Sequence, residues 1–384
     1  MINTKIVIVG AGFGGLSAAL NLRKVFKNDK SVKIILADCR NYHLFTPNLF
    51  EVATAEEELT SIQQLKKSTA LPIAEILQGS DIEFIQGKLE QIEPINKKIK
   101  IGVKDLSFDY LVLAIGLSAD FGQMEGAKEY ALPLGSLPDA LRIRNAAEFA
   151  VQSRGMEVKK KLLRFIVAGG GSAAVEFAAE LKKMLNFVAW KYGFPEEKIE
   201  IALLESRGEL LNGINGNLSK DISVRLRELG IRVEFNSQII RADRHLVELL
   251  NGEKTEYDLL VWTGKGKGSA EIFGNNFLLD MKGRIKVGEN LQAIGHDRIF
   301  AIGNIASVFN GKTDFIEGSY QNAVEQGKYI ACALPKLMQN FYFKGFFAYM
   351  INLYRHFKYY RSLVGFKKAF KYVWFQNMLY GRND

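Results

Sequence analysis

The chain has 384 residues, 48% of them hydrophobic, and carries a net charge of +9. That length allows two or three domains with cores of their own, and the apolar content is ordinary for a soluble protein. Only two cysteines occur, Cys39 and Cys332. They form no C-x-x-C and no metal-ligand spacing, which excludes a metal site and a redox-active disulfide and points to a reducing compartment.

The chain opens without a secretory segment, because Lys5 and an apolar run begin at once. Ile6–Val9 reads as a strand, and IVIVGAGFGG follows it. Gly10, Gly12 and Gly15 fill the slots of G-x-G-x-x-G, with Gly14 beside them. The first glycine allows a tight strand-to-helix turn, the second lets backbone approach a pyrophosphate, and the third lets helix pack on strand. The pyrophosphate then meets unpaired N–H groups at the positive end of a helix, here expected over residues 16–26. The next strand, KIILAD, ends on Asp38, placed to hold ribose hydroxyls. FDYLVLAIG, residues 108–116, is a buried strand ending in a glycine turn. A polar linking helix is expected near residues 136–160.

The pattern then repeats. Residues 165–168 form a strand and FIVAGGGSAA supplies Gly169, Gly171 and Ala174 in the same slots. A helix follows over residues 175–185, and the strand EIALLE delivers Glu205. DLLVWTG, residues 258–264, is a further strand ending at Gly264. RIFAIGN, residues 298–304, is a strand that returns the chain to the first unit through Gly303 and Asn304. These elements predict an α/β protein with two Rossmann-like dinucleotide-binding domains, the second inserted in the first. The expected division is 1–118 and 290–335 for the first domain, 119–160 for the linker and 161–289 for the second domain. Residues 336–384 form a separate tail. Two such motifs imply two nucleotide cofactors face to face, the layout of an enzyme passing a hydride from a nicotinamide to a flavin.

The tail holds nine Lys or Arg against one acid, Asp384, and 16 of the 43 aromatic residues of the chain. Phe346, Met350, Leu353, Phe357 and Tyr360 recur at helical spacing, and Phe366, Phe370, Trp374 and Met378 step by four beside Lys367, Lys368 and Lys371. An amphipathic, aromatic and basic helix suits a membrane interface with anionic lipid. A dimerisation helix, a helix packed on the body and a nucleic-acid surface are the other readings; of these a homodimer stays open and nucleic acid is not expected. No apolar run is long enough to span a bilayer.

Five segments give the chain a family resemblance: IVGAGFGGLSAA, NYHLFTPNLFEVA at residues 41–53, VAGGGSAAVEFAAEL, AIGNIA, and YQNAVEQG with the basic aromatic tail. Together they resemble the type II NADH:quinone oxidoreductases, single-chain flavoenzymes of the respiratory membrane. The resemblance implies FAD on Gly10, Gly12, Gly14, Gly15 and Asp38. Thr46 and Pro47 would lie beside the flavin ring, Ala114 and Gly116 behind it, and Gly303 and Asn304 near the ribityl and phosphate region. It implies NADH on Gly169, Gly171, Ala174, Glu205 and Gly264, with Glu176 near the nicotinamide. Glu205 would favour NADH over NADPH, because a carboxylate repels a ribose phosphate. Gln321 would stand at the quinone end of the flavin. The tail would anchor the enzyme peripherally on the cytoplasmic face of the cell membrane, without proton pumping.

Four departures from that family stand out. Asn304 replaces a usual Asp, Tyr320 a usual Ala and Glu325 a usual Gln, and the segment between Gly327 and Gly345 is short. A soluble electron acceptor and a non-catalytic membrane-associated flavoprotein are the alternative functions. A sulfide:quinone oxidoreductase would need cysteines near the flavin that Cys39 and Cys332 do not supply.

Overall fold

The computed structural model describes residues 4–56, 67, 69–155, 162–211, 216–264, 266–308 and 320–338. The elements that carry the site are, in chain order, β1 (Thr4–Val9), α1 (Phe13–Val25), β2 (Val32–Asp38), α2 (Leu49–Ala53), β3 (Ile82–Gln86), β4 (Tyr110–Leu113), α3 (Leu137–Gly155), β5 (Leu163–Ala168), α4 (Ser172–Tyr192), β6 (Ile199–Leu204), β7 (Ile231–Glu234), β8 (Leu259–Trp262), β9 (Ile299–Ala301) and α5 (Tyr320–Met338).

Their contacts fall into two compact units. Described residues of Met1–His43, Leu71–Ser118 and Lys267–Asp384 form the first, and those of Leu44–Ala70 and Ala119–Gly266 form the second. Residues 267–289, grouped by the sequence with the second nucleotide motif, pack in the first unit. The reason is apolar burial: Phe273, Phe277, Ile285 and Val287 join the core built on β1 and β2. The segment holding Thr46 and Pro47 and the helix α3 both pack in the second unit.

The first unit is built on a five-stranded parallel sheet in the order β9-β4-β1-β2-β3. β1 sits at its centre, with Ile6 opposite Ile34 on one side and Tyr110 on the other. Ile6, Val7, Ile8, Ile34, Leu36, Leu111 and Val112 are buried. Such unbroken apolar runs are what a parallel sheet covered on both faces demands, since neither set of alternating side chains meets water. α1 and α5 pack on each other. Their backbones approach closely because Gly327 faces Gly14, Ser17 and Ala18: a Cβ on Gly327 would lie 2.5 Å from the Gly14 carbonyl oxygen. The Ser17 hydroxyl donates to the Val324 carbonyl at 2.7 Å in the same seam.

The second unit repeats the plan. Its parallel sheet runs Leu132–Pro133, then β8-β5-β6-β7. Phe165, Val167, Phe177, Leu181 and Leu203 fill its interior. α2 packs against α3 and α4. α4 is longer than the expected 175–185 because its apolar stripe continues through Val188 and Ala189. It stops at Gly193, whose φ of +63° is a left-handed C-cap. α1 likewise begins earlier than expected, directly after its N-cap Gly12. No helix among the described residues is long and apolar enough to cross a membrane. Of the expected anchor, residues 336–384, the first three continue α5 to Met338, and the rest lies outside the described residues.

Candidate functional site

In the first unit, three elements converge on one end of the sheet: the β1–α1 turn, the turn after β9, and the start of α5. Gly10 has φ +105°, and a Cβ there would lie 2.3 Å from the Ala114 carbonyl oxygen. Ala114 in turn donates its N–H to Val9 at 2.7 Å, so the chain after β4 presses directly on the turn. A Cβ on Gly15 would lie 1.7 Å from the Gly10 carbonyl oxygen. Both glycines are therefore demanded by the protein's own backbone. Gly14 is tight against the Ala323 carbonyl and Ile302.

Gly12 differs. Its φ of −72° is open to any residue, and a Cβ there would meet nothing within 4 Å. Among the described residues no protein atom explains a glycine at this position. It is the N-cap of α1 and offers no side-chain cap to the first-turn N–H groups. An open cradle floored by uncapped donors at a positive helix end fits a pyrophosphate.

The loop around the cradle is clamped at the Ala11 peptide. Buried Asp38 accepts the Ala11 N–H at 2.6 Å with one oxygen and the Arg40 N–H at 2.8 Å with the other. His43 Nδ1 lies 2.9 Å from the Ala11 carbonyl and donates to it. Burial lowers the His43 pKa, which favours the neutral ring. The His43 ring meets Phe13 edge-on at 4.8 Å between centroids. Asp38 thus has a structural task as well as lone pairs left for a ribose.

Gly303 has φ +70° and donates its N–H to the Gln326 side-chain oxygen at 2.6 Å. Gln326 is buried, whereas Asn304 and Gln321 are exposed. A Cβ on Gly303 would lie 3.5 Å from that of Ala323, so α5 supports the turn directly. Gly116 has φ +69° in the turn beyond β4. Gly10, Gly12, Gly14, Gly15, Asp38, Ala114, Gly116, Gly303, Asn304 and Gln321 all belong to this unit; Thr46 and Pro47 belong to the other. His43 and Gln326 lie inside the segments NYHLFTPNLFEVA and YQNAVEQG without an assigned role; Gln326 is signalled by its neighbour Gly327, and His43 by no glycine at all.

The second unit holds the second cradle. Gly169 has φ +122°, and a Cβ there would lie 2.6 Å from Thr263 Oγ1. That hydroxyl donates to the Ala168 carbonyl at 2.9 Å. Gly171 matches Gly12: it is an N-cap of extended φ/ψ, no side chain caps the helix, and a Cβ would meet nothing within 4 Å. Ala174 is fully buried in the third slot. Buried Glu205 accepts the Arg207 N–H at 2.8 Å and the Ser206 hydroxyl at 3.1 Å with one oxygen. Its other oxygen lies against Gly170, 2.4 Å from where a Cβ would sit. Gly264 is pinned beside the Trp262 ring, 2.4 Å from an added Cβ.

Glu176 lies deeper in α4 than the expected helix start at residue 175 would place it. The helix starts at Ser172, so Glu176 is its fifth residue, half-buried, and the first turn holds no acid. Thr46 and Pro47 start a 3₁₀ turn, Thr46–Asn48, that leads into α2. Glu51 on α2 has its pKa raised by burial and then by the charge of Glu180. Among the described residues no cluster of His, Cys, Asp or Glu could hold a metal ion.

The sequence profile of the pyridine nucleotide-disulphide oxidoreductases matches residues 4–327. The chain belongs to this family. It is an oxidoreductase, and the expected cofactor pair, FAD and NADH, is that of the family. The chain is similar to a probable NADH dehydrogenase of Dictyostelium discoideum, 28% identical over 80% of this chain and 69% of the relative. It is also similar to a type II NADH:quinone oxidoreductase of Staphylococcus haemolyticus, 23% identical over 87% of this chain and 82% of the relative. Among solved structures, NDH2 from Plasmodium falciparum in complex with NADH shares the fold at a TM-score of 0.75. That match has 21% identity and covers 87% of this chain and 83% of the other. The resemblance seen in the five sequence segments therefore holds at the level of family and fold.

Proposed function

We propose that this oxidoreductase catalyses NADH + H⁺ + quinone → NAD⁺ + quinol as a peripheral membrane enzyme that does not pump protons. The observation that carries the reading is the duplicated open cradle, at Gly12 and at Gly171, where no atom of the described residues accounts for the glycine. When bound, the flavin supplies the redox chemistry, taking a hydride from NADH and passing two electrons to the acceptor.

The chain's own residues bind and orient. Gly12, Gly14 and Gly15 leave backbone donors for the FAD pyrophosphate, and Asp38 holds the loop while retaining lone pairs for the ribose. Ala114, Gly116, Gly303 and Asn304 line the same unit, with Gln326 fixing the Gly303 peptide. Gly169, Gly171 and Ala174 receive the NADH pyrophosphate, and Glu205 meets its adenosine ribose. Glu176 lies on the helix that Gly171 begins and orients the nicotinamide. Thr46 and Pro47 border the flavin, and Gln321 holds the acceptor. The basic aromatic tail lies on anionic lipid at the cytoplasmic face of the cell membrane.

Anaerobic titration tests this reading. Purified protein is expected to be yellow, to bleach with NADH and to regain colour with a short-chain quinone. Recovery with soluble acceptors but not with quinone would instead support the soluble-acceptor reading, which the short segment after Gly327 favours. Flotation with anionic liposomes, full chain against truncation after Met338, tests the anchor; equal flotation of both would remove it.

A further inference from the structure

The start of α5 presents an aromatic side chain with no structural reason to be so exposed. Tyr320 is the first residue of α5 and keeps 45% of its surface in solvent. Its ring meets Phe13 at 5.4 Å between centroids and 42° between planes. Phe13 is the first helical residue after the Gly12 cradle and also meets His43 edge-on at 4.8 Å. Ring contacts thus link His43, on the Ala11 clamp, through Phe13 to the exposed Tyr320. A large exposed ring contributes little to folding, since the burial that would reward it is incomplete. Its outer end is a planar apolar surface with a hydroxyl at the rim, next to the exposed amide of Gln321.

The placement is fixed by the seam beneath it. Ala323, one turn along α5, lies close to the Gly14 and Gly303 backbones, 3.2 Å and 3.5 Å from where added Cβ atoms would sit, and Ser17 bonds the Val324 carbonyl across the same seam. Tyr320 and Gln321 are therefore held beside the turn that carries the Gly12 cradle. An aromatic ring pair gains from offset stacking beyond simple area burial.

We propose that Tyr320, backed by Phe13, is a stacking platform that selects planar ring acceptors, quinone headgroups among them, over acceptors without a ring. This rests on the NADH:quinone reading above. In it Tyr320 is a specificity-determining residue for the oxidative half-reaction and has no part in the reductive one.

The test compares the wild-type holoenzyme with Tyr320→Ala, Tyr320→Leu and Tyr320→Phe, using menadione as the ring acceptor and ferricyanide as the acceptor without one. Tyr320→Ala is expected to raise the KM for menadione about five-fold, the order of one lost ring pair, and to weaken menadione binding measured by calorimetry to the same degree. Tyr320→Leu should behave like Tyr320→Ala, and Tyr320→Phe like wild type. Ferricyanide kinetics and the rate of flavin bleaching by NADH should stay unchanged in all three, while the lost pairing with Phe13 should lower the melting temperature slightly and equally in Tyr320→Ala and Tyr320→Leu. Unaltered menadione binding in Tyr320→Ala would overturn the platform. So would retention by Leu, which would make the role one of bulk alone, or an equal loss with ferricyanide, which would make it structural. Wild-type protein that bleaches with NADH yet passes nothing to menadione would sink the quinone reading itself, and with it the platform.

Discussion

The two glycine-rich turns share a sequence pattern but not a construction. In the first, glycine is forced by main chain pressing on main chain: Gly15 on Gly10 and Gly10 on Ala114. In the second, the neighbours of Gly169 and Gly170 are side-chain atoms of Thr263 and Glu205, and the third slot accepts Ala174. The first acidic partner, Asp38, is tied into the loop through the Ala11 N–H; the second, Glu205, is held by the turn that follows it. Backbone contacts cannot give way without moving strands, whereas side chains change rotamer at small cost. Main chain thus closes the space around the first turn and side chains close it around the second, where Gly169, at φ +122°, still needs a left-handed backbone.

That contrast breaks most visibly at the third slot. Gly15→Ala should destabilise the first unit by at least about 3 kcal/mol, because the methyl has no space that side-chain motion could open. Urea unfolding with retained flavin as second readout checks it, and a variant that stays folded and yellow would mean the first turn is softer than its contacts indicate.

The next largest effect separates protein from ligand. Gly12→Val and Gly171→Val both place a side chain in open space at an N-cap, so each should cost only about 1 kcal/mol in stability. Gly12→Val should lose FAD, read from absorbance after gel filtration. Gly171→Val should keep FAD but lose bleaching by NADH. Equal loss of colour in both would show that the two cradles do not divide the cofactors as proposed.

A smaller change is expected at the acids. Glu205→Gln should narrow the preference for NADH over NADPH by roughly ten-fold, the order of one charged hydrogen-bonding contact. Steady-state kcat/KM with both nucleotides measures it, and an unchanged ratio would assign Glu205 to holding its own turn only.

The mildest test uses pH. Burial lowers the His43 pKa in the folded protein, so the neutral ring is favoured there. The associated stability is fully present above the unfolded value of about 6.5 and is lost as pH falls below it. Flavin retention should therefore weaken between pH 7 and 5, and His43→Asn, which keeps a donor for Ala11 without titrating, should flatten that slope. A slope unchanged in His43→Asn would place the pH sensitivity elsewhere.

The sequence by itself determined the local chemistry. Strand, turn, helix and acid recur in fixed order because a parallel sheet buries unbroken apolar runs and a pyrophosphate turn admits only certain residues. Both sheets, both N-caps and the return of residues 298–304 to the first sheet follow from those constraints. Tertiary structure decided what depends on residues far apart in the chain. Gly10 is forced by Ala114, and Gly14 is crowded by Ala323, contacts that no window of sequence contains. The same distance hid the role of Gln326, which satisfies the Gly303 N–H, and of His43, which reaches back to Ala11. It also moved residues 267–289 into the first unit, since apolar side chains go to whichever core has room for them, and set Tyr320 on Phe13, where two helices that begin 307 positions apart share one seam.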